Sequence, residues 1–227
     1  MKFLTVSGPP SSGKTSVILK TIEALKEKGF NVGVVKFDCL STEDDKLYAA
    51  KGIEVKKGLS GSLCPDHFFV SNIEECVEWG LKNNFEFLIS ESAGLCNRCS
   101  PHIKDVLAVC VIDNLSGVNT PKKIGPMLKS ADIVIITKGD IVSQAEREVF
   151  ASRVKNVNPK ATIMHVNGIT GQGAYEFASI LQESEEIKSL KGKKLRFSMP
   201  SALCSYCLGE TRIGESYQMG NIRKMDA

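Results

Sequence analysis

Long apolar runs are missing from this 227-residue sequence. No stretch of 18 apolar residues occurs, so no membrane-spanning helix is expected. Neither charge dominates: 29 Lys and Arg stand against 26 Asp and Glu, and the net charge of +3 is too small a surplus to point to a nucleic-acid partner. Repeats and low-complexity tracts are also absent, and the composition excludes collagen, bulk disorder and a disulfide-stapled miniprotein. Residues 1–8 hold one basic residue and too short an apolar run for a secretory signal, so a cytoplasmic protein is expected. The length fits one full domain with at most an appendage, large enough to bury a core without staples.

Cysteine, in contrast, is plentiful: Cys39, Cys64, Cys76, Cys96, Cys99, Cys110, Cys204 and Cys207. Stable disulfides are disfavoured in a reducing compartment, and the spacings Cys96-x-x-Cys99 and Cys204-x-x-Cys207 point to metal or redox chemistry. Cys39, Cys76 and Cys110 lie in or near apolar elements and read as small buried hydrophobes.

Short apolar runs alternate with amphipathic stretches. The pattern predicts strands at 3–6, 32–37, 85–90, 106–112, 133–136 and 161–166. It predicts helices at 14–28, 42–51 with Thr42 as N-cap, 72–82, 143–154 and 174–181. Near-continuous apolar strands between helices imply an α/β fold with a mostly parallel open sheet covered by helices on both faces. The regularity stops near Glu186. Residues 1–186 are expected to form the domain, and residues 187–227 a tail that is basic over 188–196 and carries Cys204 and Cys207.

Gly8, Pro9, Pro10, Ser11, Ser12, Gly13, Lys14 and Thr15 fit G-x-x-x-x-G-K-[ST], directly after a strand and opening a helix. Backbone N–H groups of such a loop ring a phosphate, with the positive end of the helix dipole behind them. Lys14 is suited to the β- and γ-phosphates and the Thr15 hydroxyl to Mg²⁺, with Ser16 following in the same segment. A nucleoside triphosphate is the expected ligand. For the base, Thr137, Lys138, Gly139 and Asp140 follow a late strand where GTPases carry Asn-Lys-x-Asp. Lys138 and Asp140 are present, and an Asp there accepts two hydrogen bonds from guanine, a source of strong selectivity. Thr137 stands where Asn would tie loops together. Asn167 falls in what would be a second base-contacting loop.

Together these segments resemble the metal-chaperone P-loop GTPases of the hydrogenase-nickel-insertion and urease-accessory (HypB/UreG-like) type, over about residues 2–181. Residues 38–45 look like a first switch, residues 61–67 like a Cys/His metal-binding stretch, and residues 91–94 like a second-switch strand end. The resemblance implies GTP hydrolysis with Mg²⁺ and a homodimer formed on GTP binding. It also implies Ni²⁺ or Zn²⁺ carried at the dimer interface and released to an acceptor metalloenzyme or its accessory proteins. It assigns catalytic roles to Lys14, Thr15, Asp38 and Glu91, with one or both acids positioning Mg²⁺ or the attacking water.

Thiolate and imidazole ligands suit Zn²⁺, Ni²⁺ or an Fe–S cluster. Cys64 and His67 offer one of each in a Gly/Pro-bounded loop. Cys96, Cys99 and His102 offer a second set just past Glu91, where a ligand would sense the γ-phosphate. Cys204 and Cys207 supply two more thiolates, to complete that set, to hold a metal with a partner chain or to act as a redox pair. Departures from the family are visible. Asp66 is inserted before His67, and Cys-x-x-Cys replaces a single Cys, which favours a four-thiolate zinc site or a shared cluster. The alternatives are therefore a nucleotide-dependent Fe–S or zinc scaffold, and a P-loop kinase.

Overall fold

The apolar strands assemble into one seven-stranded sheet. The computed structural model describes residues 1–197, 210–218, 220 and 222–225. In chain order the elements are β1 (Lys2–Ser7), α1 (Lys14–Glu27), β2 (Val32–Asp38), α2 (Asp44–Ala50), β3 (Glu54–Leu59), α3 (Pro65–Lys82) and β4 (Phe87–Ser92). They continue with β5 (Leu107–Asp113), α4 (Thr120–Lys123), α5 (Pro126–Lys129), β6 (Ile133–Thr137), α6 (Gln144–Val157), β7 (Thr162–His165) and α7 (Ala174–Gln182). The strand order is β3-β2-β4-β1-β5-β6-β7, with every pairing parallel. This is the P-loop NTPase fold. Among the described residues no helix is long and apolar enough to cross a membrane.

The central position of β1 decides where chemistry can occur. Its register pairs Val6 with Glu91 on β4 and with Val109 on β5. The loop after Ser7 therefore emerges at the carboxyl ends of three adjacent strands, where ligands of open α/β sheets bind. One face of the sheet is sealed by α1 and α7 over Leu4, Val6, Val34 and Ile89. The other is sealed by α3, whose Phe68 and Phe69 meet Phe37 edge-on. Farther along that face α4, α5 and α6 cover β5 and β6.

Several elements differ from the sequence expectation. Strand β3 was not expected; Lys56 and Lys57 break its apolar pattern, and its place at the sheet edge keeps them solvated. Helix α3 begins at Pro65, seven residues before the predicted start, with Cys64 as N-cap. Pro is preorganised for the first helical position, and the dense apolar run Phe68, Phe69 and Val70 obscures the helical period. Cys64 and His67 thus lie at a helix start and not in a loop. Helix α2 opens at Asp44 with Glu43 as N-cap, while the Thr42 hydroxyl accepts the Asp44 N–H at 3.2 Å. Strand β4 runs two residues later than expected, which draws Glu91 into the sheet and buries it completely.

Beyond Glu186 the described residues at 187–197 and 210–218 pack against the domain. Ile187, Leu190, Leu195 and Ile213 are buried in the cluster with α3. The Lys104 N–H donates to Lys194 O, and the Leu195 N–H to Thr211 O. Arg196 grips Asp132 with two N–H···O bonds of 2.6 Å and also donates to the carbonyls of Ile103, Val106 and Ser130. Cys204 and Cys207 lie outside the described residues.

Candidate functional site

The phosphate loop needs its two glycines. Gly8 has φ 147°, and a Cβ there would stand 1.9 Å from Val111 O; Gly13, with φ 89°, is the left-handed N-cap of α1. Lys14 turns back over the loop. Its Nζ donates to Gly8 O at 3.0 Å, Pro9 O at 2.9 Å and Ala93 O at 3.4 Å. Burial lowers its pKa to about 8. The Thr15 hydroxyl donates to Glu91 Oε1 at 2.8 Å.

Glu91 is the hub of an acid cluster. Its Oε1 also accepts from Lys36 Nζ at 2.8 Å, and its Oε2 from the Tyr48 hydroxyl at 2.7 Å. Lys36 is 2.5 Å from Asp44 Oδ2 and 3.8 Å from Asp38 Oδ2, and only 3% exposed. Burial alone would lower the Lys36 pKa, but Glu91 and Asp44 outweigh it and the net shift is upward, so the ammonium persists. Burial, and then Glu91, push the Tyr48 hydroxyl well above its ordinary value, so it stays a donor.

At the base loop the Thr137 hydroxyl donates to Ser12 O at 2.7 Å, and Lys138 Nζ donates to Ser11 O at 2.8 Å. A threonine thus makes the tie expected of an asparagine. Asp140 is exposed and lines, with Gly139, Arg147, His165 and Asn167, a cleft of about 130 Å³. The Asn167 side chain accepts from the N–H groups of Ile169 and Thr170, so it shapes its own loop. Gly168 lies against Ser16: a Cβ there would be 2.7 Å from the Ser16 Cβ, and this brings the loop beside α1.

The sulfur groups gather where the segment after β4 meets the first turn of α3. One carboxylate oxygen of Asp66 and the sulfurs of Cys96 and Cys99 lie within 4.8 Å of one another, the two sulfurs 3.7 Å apart. Cys64 is close enough for its charge to act on Cys99. Burial raises the Asp66 pKa to about 6, and burial followed by the charges of Asp66 and Cys96 raises that of Cys99 strongly. The link to the nucleotide loop is short. A Cβ on Gly94 would sit 1.7 Å from Gly8 O, so the backbone just before Cys96 rests on the phosphate loop.

The sequence pattern of the CobW/HypB/UreG nucleotide-binding domain matches residues 2–165. The chain belongs to this family. Its CobW/HypB/UreG domain places it among metal-chaperone P-loop GTPases. The whole chain is 51% identical over 226 residues to an uncharacterised protein of Methanocaldococcus jannaschii, covering 97% of that protein. It is 30% identical over 190 residues to the urease accessory protein UreG of Yersinia enterocolitica, covering 78% of this chain and 86% of that one. In structure it is similar to the hydrogenase maturation factor HypB of Archaeoglobus fulgidus, with a TM-score of 0.64 and 21% identity over 80% of this chain and 89% of that one. HypB of Helicobacter pylori, solved in complex with nickel, also scores 0.64, at 20% identity over 83% of this chain and 91% of that one.

Within this CobW/HypB/UreG domain the residues expected as metal ligands lie in different surroundings. His102 has both ring nitrogens engaged inside the core. It is fully buried, its Nδ1 is 2.8 Å from the Thr5 hydroxyl, and its Nε2 is 3.1 Å from the Ser7 hydroxyl and 3.2 Å from Met127 O. Burial, and then the nearby Arg196, lower its pKa to about 3, so it is a neutral core histidine. His67 is buried in the first turn of α3, and the donor group forms around Asp66 in its stead. The inserted Asp66 was visible in the sequence as a departure from the family, but not as a ligand. Lys36 and Tyr48 were missed. The available signal was a lone lysine inside the apolar strand Val32–Asp38. Cys76 and Cys110 are buried, as expected, and burial pushes both thiols up to about 12. Cys39 is half-buried and donates to Gly61 O.

Proposed function

We propose that this chain is a GTP-hydrolysing metallochaperone. It carries one Ni²⁺ or Zn²⁺ ion as cargo and transfers it, as a cytoplasmic homodimer, to a partner metalloenzyme or its accessory proteins. Two donor sets of different hardness support the reading. The oxygens of Thr15, Asp38, Asp44 and Glu91 suit Mg²⁺, which when bound offsets the charge of the phosphates. The thiolates of Cys64, Cys96 and Cys99, with Asp66, suit a softer cargo ion. A carboxylate among the donors favours a single divalent ion over an Fe–S cluster, whose ligands are thiolates.

The chain's own residues supply the rest. The backbone N–H groups of residues 11–15 hold the phosphates, since Pro9 and Pro10 have none to offer, and Lys14 leaves the carbonyls of Gly8, Pro9 and Ala93 to reach them. Asp140 accepts the hydrogen bonds of guanine, and Thr137 keeps the base loop fixed to Ser12. The observation that carries the reading is the seat of Gly94 on Gly8 O, with Ala93 O bound to Lys14, three residues before Cys96. A change in phosphate occupancy alters this contact, and the ligand loop follows it directly.

The test is metal affinity in two nucleotide states. Competition for Zn²⁺ and Ni²⁺ against a chromophoric chelator is expected to differ at least about tenfold between GDP and GTPγS, the usual size of a coupling between two sites. Equal affinity in both states ends the proposal.

A further inference from the structure

The acid cluster contains a cation of its own. Lys36 is the one basic side chain on β2, and it points from inside the sheet at three carboxylates, those of Asp38, Asp44 and Glu91. Glu91 has both oxygens engaged by side chains of the chain itself: Oε1 by Thr15 and Lys36, and Oε2 by Tyr48. A divalent ion seeking these oxygens meets a fixed ammonium within bonding distance of two of them.

We propose that Lys36 is a positioning residue that keeps divalent ions out of the acid cluster until a nucleotide arrives. Ammonium and divalent ion repel at close range, and the carboxylates already have a partner. A nucleotide brings negative phosphate oxygens with its ion, and their charge offsets the repulsion. Ion and nucleotide therefore enter together, and a chain that carries a second metal on nearby thiolates does not lose it into its own acids. The proposal rests on the reading that these acids take Mg²⁺ alongside the nucleotide.

Mn²⁺ is the probe, because it is paramagnetic, prefers oxygen donors and binds thiolates poorly. Free Mn²⁺ is followed by electron paramagnetic resonance during titration of the full chain, first alone and then with GDP. Wild type is expected to take up one Mn²⁺ with GDP and to bind it at least about tenfold more weakly without nucleotide. Lys36→Gln and Lys36→Met are expected to bind one Mn²⁺ without nucleotide. Adding Glu91→Gln removes that ion again, and Lys36→Arg, which keeps the charge, excludes it as wild type does. If Lys36 merely braced the acids, its removal would weaken Mn²⁺ binding in every state, which overturns the proposal. Equal Mn²⁺ affinity of wild type with and without GDP also overturns it, even if neither neutral variant folds. No Mn²⁺ uptake in either state removes the underlying Mg²⁺ reading together with it.

Discussion

Lys14 donates to three carbonyls in a pocket that leaves 6% of it exposed, and burial holds its pKa at about 8 against 10.5 for a free lysine. Below pH 8 both folded and unfolded chains keep the proton, so the nucleotide-free fold bears the whole cost of a buried charge, on the order of 3 kcal/mol. Between pH 8 and 10.5 the folded chain releases the proton and the unfolded chain retains it, so this cost shrinks as pH rises. Lys14→Met should therefore stabilise the nucleotide-free protein at pH 7 by about 1–3 kcal/mol while abolishing GTP binding. The part of the difference that comes from the buried charge should fade as pH rises from 8 to 10.5. Denaturant titrations at several pH values, with and without GDP, check both statements. At the base loop, Asp140→Ala removes the acceptor for guanine and should cut the preference for GTP over ATP at least about tenfold in competition binding. Thr137 is left intact in that variant, so the tie to Ser12 persists and ATP affinity should change little.

The elements that hold these residues were unequally legible. The phosphate loop could be read because its chemistry and its geometry coincide: Gly8 and Gly13 are required by the backbone, and β1 and α1 flank them with plain apolar patterns. The first turn of α3 could not, because Pro65 looks like a loop residue and Phe68, Phe69 and Val70 show no helical period. This error placed Cys64 and His67 in a Gly/Pro-bounded loop, whereas His67 lies buried in the first turn of α3. His102 is drawn into the core for a different reason. Cys96-x-x-Cys99 followed by a histidine has metal-ligand spacing, but the chain turns inward after Ser100 and delivers the ring to Thr5 and Ser7. Local spacing carries no information about that turn. The two sets of residues should separate cleanly in experiment. Cys96→Ser with Cys99→Ser should lower bound metal, measured by elemental analysis, with little loss of stability. His102→Ala should leave metal content unchanged and cost about 2–4 kcal/mol in urea denaturation, because it empties a buried space and strands two hydroxyls and a carbonyl.

At the scale of the whole molecule, the described residues 187–197 act as a strap across the face that carries the sulfur group, with Thr211 and Ile213 packed beside them. Leu195 bridges to Ile103, four residues past Cys99, and the Arg196 N–H donates to His102 O. The Arg196 guanidinium, fixed on Asp132, fastens the same stretch to the start of β6. Burial of Ile187, Leu190, Leu195 and Ile213 contributes roughly 1.5–3 kcal/mol for each side chain, so the strap is a substantial part of the core and not an ornament on it. It also closes the far end of the loop that begins at Gly94 on the nucleotide side. The loop bearing Cys96 and Cys99 is thus held at both ends, by the phosphate loop before it and by the strap after it. Leu195→Ala tests this arrangement. The cavity should cost about 2–5 kcal/mol, a fall in melting temperature of roughly 5–15 °C for a chain of this size. If the strap holds the ligand loop, the same variant should weaken metal binding and flatten its dependence on GDP against GTPγS, while GDP affinity remains near wild type. A variant that melts earlier but keeps the full nucleotide dependence of metal binding would leave the strap as packing alone.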